Sequence, residues 1–363
     1  MIPVAMSEIY PQSEGGSGAK GSLIRRFIPV SLRTQIRQLV APLTFPRAVK
    51  TMQGVIERIR PDLIHAMRIP FEGMIAAMSM RGSEKGRGNA VKAPLLVSVW
   101  GNDFTLHAKS STRMANYTRQ VLNVCNALHT DCVRDLNLAR KLGFAVMKPS
   151  MVLPGGGGVK LDIFHPPQDE FDDERYLPID EQQRVTIINP RGFRAYVRND
   201  TFFNAIPLVV YRHPLVRFLC PNMAGEAQAE RWIAKLGIGE HVELLPPQSR
   251  QQMADLFRQS QISLSITTHD GTPNTLLEAM ACGCFPIAGD IESLHEWITP
   301  EVNGLLVDPG DPKALAEAML SIISRPDLRR QARERNIQLI EERGEYGKTM
   351  RAAENFYTSM VKA

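Results

Sequence analysis

Acidic residues are missing from one long stretch of this 363-residue chain. No Asp or Glu occurs between Glu14 and Glu57, while Lys20, Arg25, Arg26, Arg33, Arg37, Arg47 and Lys50 fall in that window. Two readings fit: a basic amphipathic segment over residues 20–50 lying on an anionic membrane, or a solvated helix packed on its own domain. Long apolar runs are also missing. None approaches the roughly 20 residues needed to span a bilayer, and the N-terminus lacks the basic-then-apolar layout of a signal peptide. Interleaved aromatics and zinc or helix-turn-helix patterns are absent, which disfavours nucleic-acid binding. No Gly-x-Gly-x-x-Gly follows a strand near either domain start, which disfavours a dinucleotide dehydrogenase. The five cysteines, 125, 132, 220, 282 and 284, have no matching histidine set. They read as buried reduced thiols of a cytoplasmic protein.

What is present is an α/β pattern. Strands are predicted at 61–69, 93–99, 127–132 and 144–153, with helices at 46–59, 111–124 and 133–142. Residues 154–178 run from glycine through proline to acid and read as an interdomain linker. The acids Asp169, Glu170, Asp172, Asp173 and Glu174 lack the spacing of a cation cage. A second half repeats the alternation, with strands at 185–188, 216–221, 242–247 and 262–266 and helices between them. The tail from 312 is helical.

The centre of the chain is residues 261–310. An alternating apolar run ends in the turn-forming His269-Asp270-Gly271 and Pro273-Asn274, followed by a helix from Thr275 closed by Gly283. In a parallel sheet such a loop lies at the carboxyl edge of the strands, where ligands bind. Asp270 and Glu278 frame it. Asp270 reads either as a turn former or as a hydroxyl acceptor, and Glu278 either as a solvated helix residue or as a second acceptor. Upstream, Arg191, Arg194 and Arg198 follow the 185–188 strand. Three guanidiniums there suit a diphosphate, because planar forks fit phosphate oxygens in pairs.

The string DGTPNTLLEAMACGCFPIAG, with NGLLVDPGDPKALAEAM after it, resembles the donor half of family 4 glycosyltransferases, also called group 1. The family usually shows Glu, seven residues, Glu here; this chain has Asp270 in place of the first Glu and Glu278 as the second. The resemblance implies a GT-B fold: two Rossmann-like parallel-sheet domains facing a cleft, the last helix crossing back to the first. It divides the chain into a flexible basic segment at 1–45, an acceptor domain at 46–166 and a linker at 167–184. A donor domain at 185–345 and a returning helix at 346–363 complete it. Against the family's usual start, the first strand, helix and strand of the acceptor domain are not found, so either that domain is shortened or its ordering is unusual.

The resemblance also implies transfer of a hexose-like sugar from a nucleoside diphosphate to an acceptor hydroxyl, with retention of configuration. No metal or other cofactor is implied beyond the nucleotide-sugar co-substrate. Arg191 and Arg198 would act on the diphosphate with Asp270 at the sugar, and Arg194 is the reserve. Glu278 would hold the ribose. Gly271, Thr272, Pro273, Asn274, Thr275 and Leu276 would form the sugar loop, and Leu245 and Pro246 would touch the base. Trp100, Gly101, Asn102 and Asp103 fall on the acceptor side. Trp100 reads as a sugar platform or as core, and Asp103 as an acceptor contact or a helix cap. Two other classes stay open: a silent nucleotide-sugar-binding module, and a nucleotide-sugar epimerase.

Overall fold

The computed structural model describes residues 41–83, 93–167 and 184–362. The basic stretch at 20–40 and the acids at 169–174 lie outside the described residues. Contacts divide the chain into two compact units. The first runs to Thr130 and adds Asp135–Val152 and Glu354–Ala363; the second holds Asp131–Arg134 and Leu153–Ala353. Residues 153–166, expected in the acceptor domain, therefore pack with the donor half.

In the first unit, helix α1 (Phe45–Ile59) carries Pro at its start and buries Phe45, Ala48 and Ile56. This helical spacing turns one face inward and leaves Arg47, Lys50 and Arg58 outside. Then come β1 (Ile64–Ala66), α2 (Met74–Ser83), β2 (Leu95–Val99), α3 (Thr112–Val124), β3 (Ala127–Thr130), α4 (Val133–Lys141) and β4 (Ser150–Val152). The four strands pair in parallel in the order β1-β2-β3-β4. Every residue of β2 is buried, as befits a parallel strand covered on both faces. Leu95, Val97 and Val99 face one cluster with Phe45, Met74 and Val121, while Leu96 meets Ala127 and Met360.

Two expectations differ here. Residues 144–149 are irregular, with a turn at 146–147, and only 150–152 form a strand. Lys148 is drawn away by its ammonium, which donates to the carbonyls of Leu122, Asn123 and Cys125 at the end of α3, a favoured place for a cation. Helix α2 was not expected. It follows a kink in which Phe71 takes a left-handed φ of 70° and a side chain on Gly73 would meet the Arg68 carbonyl at 2.9 Å.

The second unit contains β5 (Thr186–Ile188), α5 (Asn199–Arg212), β6 (Arg217–Cys220), α6 (Ala227–Leu236), β7 (Val242–Leu244), α7 (Arg250–Arg258) and β8 (Ile262–Ser265). They are followed by α8 (Asn274–Ala281), β9 (Phe285–Gly289), β10 (Leu305–Val307), α9 (Pro312–Ile323), α10 (Pro326–Arg343) and α11 (Tyr346–Lys362). Residues of α11 from Glu354 onward cluster with the first unit. The six strands run in parallel in the order β10-β9-β8-β5-β6-β7. Numbered within the unit this is 3-2-1-4-5-6, read from the other edge. The order reverses between β5 and β8, so the crevice beyond their carboxyl ends is the expected ligand position. All five cysteines are buried, and burial pushes the Cys125 thiol up to about 11.

Arg329 on α10 is 1% exposed and donates from Nη1 to the carbonyls of Ile322 and Ile323 at 2.6 and 2.7 Å. It neutralises the carboxyl end of α9 from inside the core. Arg329→Ala should lower the unfolding free energy by about 3 kcal/mol, measured by urea titration. A loss under about 0.5 kcal/mol would show that water replaces the guanidinium.

Candidate donor site

The two loops at the switch point meet through one ion pair. Arg191 follows β5 and Asp270 follows β8, and Arg191 Nη2 lies 2.5 Å from Asp270 Oδ2. Both side chains are largely buried, at 9% and 15% exposure. Arg191 Nη1 also donates to the Thr275 hydroxyl on α8, at 3.2 Å. Its Nε is buried without an acceptor, so one donor of the fork is unused. The loop is shaped to aim this side chain. Gly192 sits at φ 61°, a left-handed position that favours glycine. Asn199, in the first turn of α5, donates to the Gly192 carbonyl at 2.9 Å, and Asn189 bonds Asn199 and the Arg191 N–H.

Asp270 also accepts the N–H of Gly271 at 3.1 Å. Its carbonyl accepts the Ser293 hydroxyl at 2.8 Å. Helix α8 begins at Asn274 after Pro273, with no side-chain cap on its first N–H groups. Uncapped N–H groups and the helix dipole favour an anion there. Leu276 points into the core, so only its backbone is available to a ligand. Asn274 is exposed, and its amide packs so closely on Gly156 that a side chain at 156 would lie 2.0 Å from it. The glycine run read as linker thus lies against the α8 entry.

One turn of α8 further on, Glu278 is half-buried and makes no side-chain hydrogen bond among the described residues. Burial raises its carboxyl to about 7, opposed by the charge of Arg250. A half-buried carboxylate lacking donors is costly unless something supplies them. Two hydroxyls of a ligand would do so.

The other expected residues are placed differently. Arg198 is held by a two-pronged pair with Asp200, at 2.8 and 2.7 Å. It does not join Arg191 on a shared partner. The pair is half-open to solvent, where an ion pair contributes little. Arg198→Ala should therefore reduce donor affinity by no more than about tenfold, against a far larger loss at Arg191; equal losses in calorimetric titration would put both on the diphosphate. Arg194 is exposed. Leu245 uses its N–H on Cys220 and its carbonyl on Met223 and Ala224. Pro246 offers its carbonyl to Asn222 and Gln248. Both expected base contacts thus already serve the loop itself.

In the first unit, Trp100 is 47% exposed with the Arg68 guanidinium 5.7 Å from its ring centroid. It is a surface platform rather than core. Gly101 and Asn102 supply carbonyls to Thr105, Leu106 and His107. Asp103 is turned inward. It is fully buried and accepts from Arg68, from Ile69 N–H at 3.0 Å and from Trp100 N–H at 3.2 Å. Burial holds it up at about 6 despite Arg68. Its carboxylate ties two loops together and is not presented to an acceptor.

The family described as "Glycosyl transferases group 1" matches residues 174–339. The D-inositol 3-phosphate glycosyltransferase of Thermobispora bispora is 26% identical over 219 residues, which is 57% of this chain and 50% of that relative. The one from Salinispora tropica is 33% identical over 99 residues, 27% of this chain and 20% of that relative. The chain therefore matches half or less of the length of these relatives. Among solved structures, sucrose-phosphate synthase of Thermosynechococcus elongatus superposes with a TM-score of 0.71 at 16% identity, covering 88% of this chain and 78% of that one. HepE of Anabaena in complex with UDP-glucose gives 0.70 at 14% identity, covering 95% and 90%. These likenesses establish the GT-B fold. The group 1 match contains Arg191, Asp270 and Glu278.

Sequence reasoning missed Asp131, Ser293, Glu296 and Trp297, which brace the Asp270–Thr272 turn. Thr272 N–H reaches Asp131 Oδ2 at 3.3 Å, and Trp297 Nε1 donates to the Thr272 hydroxyl at 3.1 Å. No local pattern announces a brace 141 positions away in sequence.

Proposed function

We propose that this chain is a retaining glycosyltransferase that needs no metal and moves a hexose-like sugar from a nucleoside diphosphate to an acceptor hydroxyl. The observation carrying this reading is the convergence of Arg191, the uncapped start of α8 and Glu278 around the β5–β8 switch point. Arg191 and the α8 N–H groups suit a diphosphate, Glu278 suits the two ribose hydroxyls, and the Asp270–Asn274 loop suits the sugar. As the glycosidic bond breaks, negative charge grows on the diphosphate. A cation fixed beforehand stabilises it more than it stabilises the ground state. Departing phosphate and acceptor on the same face of the sugar would let the phosphate take the acceptor proton. In the first unit, Trp100 offers an exposed ring suited to an acceptor. The outward Arg47, Lys50 and Arg58 of α1 favour a peripheral contact with anionic lipid. No helix among the described residues is long and apolar enough to cross a membrane.

The test is thermal unfolding with UDP-, GDP- and ADP-glucose in the presence of a chelator. One donor at 100 times its dissociation constant should add about 2.7 kcal/mol. No response to any of the three would refute the donor reading, and stabilisation without nucleotide release on adding acceptors would identify a silent module.

A further inference from the structure

Asp131 directly follows β3, yet it packs with the second unit. Its carboxylate Oδ2 accepts the Thr272 N–H and its own carbonyl accepts the Thr272 hydroxyl at 2.5 Å. The side chain is wedged between two glycine backbones. A Cβ on Gly271 would lie 2.3 Å from both carboxylate oxygens, and one on Gly155 would lie 3.4 Å from the Asp131 Cβ. Gly271 is not among the left-handed glycines, so what excludes a side chain there is Asp131 and not its own φ.

The segment is fastened on its other side as well. The N–H groups of Val133 and Arg134 donate to Glu296 at 2.8 and 2.9 Å. Arg134 Nη1 donates to the Ser293 hydroxyl at 3.1 Å, and Ser293 donates to the Asp270 carbonyl. Residues 131–134 therefore hold the carbonyl before Gly271 and the N–H and hydroxyl after it.

From this we infer that Asp131 is the positioning residue of the sugar-binding loop, an assignment that rests on the transferase reading above. Asp131 touches the loop itself. It acts by fixing the Gly271 and Thr272 peptides, whose orientation decides which sugar hydroxyls are met. Small displacements of such donors cost large factors in affinity and rate. The consequence is a selective one: losing Asp131 should weaken binding of the nucleotide sugar and spare that of the bare nucleotide.

Four proteins test this: Asp131→Ala, Asp131→Asn, Gly271→Ala and the double variant Asp131→Ala/Gly271→Ala. In ligand-free urea unfolding, Gly271→Ala should destabilise, and removing the Asp131 carboxylate in the same chain should recover more than half of the loss. With UDP and UDP-glucose as probes, Asp131→Ala should weaken UDP-glucose about tenfold and leave UDP within about twofold. Asp131→Asn keeps an acceptor oxygen and should recover most of the difference. Independent, additive effects at 131 and 271 would overturn the inference, and so would a parallel loss of UDP and UDP-glucose affinity. If the wild type bound neither probe, the UDP-sugar form of the transferase reading would fail, while the unfolding cycle would still decide whether Asp131 sets the loop.

Discussion

Arg191→Met should lower sugar transfer by about 10³-fold and also destabilise the ligand-free protein by about 3 kcal/mol. Both effects come from one geometry. Arg191 and Asp270 are largely buried and lie 2.5 Å apart. Without the guanidinium, the Asp270 carboxylate would stay in a low-dielectric crevice with only the Gly271 N–H for company. Methionine fills the volume but cannot answer the charge. A second substitution separates stability from catalysis. Asp270→Asn in the same chain removes the stranded charge, so Arg191→Met/Asp270→Asn should regain most of the lost stability. It should regain none of the transfer, because no cation then meets the diphosphate. Urea unfolding and nucleotide release measured on the four proteins decide this. If the double variant stayed as unstable as Arg191→Met, the cost would lie in the bond to Thr275 or in the packing of the arginine stem.

The pair bears on mechanism too. In the ligand-free protein the cation is already held in place by Asp270 and Thr275. On the transferase reading, a cation already held this way needs less ordering when a diphosphate binds.

The legibility of the chain follows from how local each cause is. Residues 262–281 could be read because the strand alternates, the turn is Gly and Pro-Asn, and the helix opens at once. The second sheet could be inferred because each strand is a short apolar run ended by turn residues. Helix α2 was invisible because its start is set by a kink at Phe71 and Gly73, which shows only when the Arg68 carbonyl is in place. Residues 144–149 look extended by composition, but Lys148 is recruited as a cap by carbonyls more than 20 positions earlier. Asp103 shows the same limit. As a sequence it is a turn acid beside a tryptophan; its burial and its bonds to Ile69 and Arg68 arise only when two loops meet. In the donor site, Arg191, Asp270 and Glu278 were readable as residues. Which of the three arginines would be aimed inward was not, because Asp200 claims Arg198 from within the first turn of α5.

Glu278→Gln should weaken binding of the nucleotide sugar by about 100-fold and should make binding independent of pH. Two ribose hydroxyls donating to one buried carboxylate are charge-assisted bonds, each contributing about 1.5 kcal/mol or more. Glutamine keeps one oxygen and turns the other position into a donor. The pH dependence follows from the raised carboxyl, at about 7 in the free protein. Only the ionised form accepts from both hydroxyls, so the competent fraction sets the apparent affinity. Wild-type affinity should be about tenfold weaker at pH 6 than at pH 8, with a proton released on binding below pH 7. The diphosphate of a nucleotide sugar is esterified at both ends and does not titrate in this window, so the slope reports the protein.

Stability should move the opposite way. The carboxyl is raised on folding from 4.5 to about 7, so its contribution is fully present below pH 4.5 and is lost as pH rises through 7. At pH 8 the ligand-free wild type holds a half-buried charge without hydrogen-bond donors, and Glu278→Gln should be more stable by about 2 kcal/mol. At pH 4 the two should unfold together. A variant that binds worse yet melts higher at pH 8 would mark Glu278 as a residue kept for its ligand at the expense of the fold. A variant that melts lower at both pH values would show that its hydrocarbon stem, and not its charge, matters in α8.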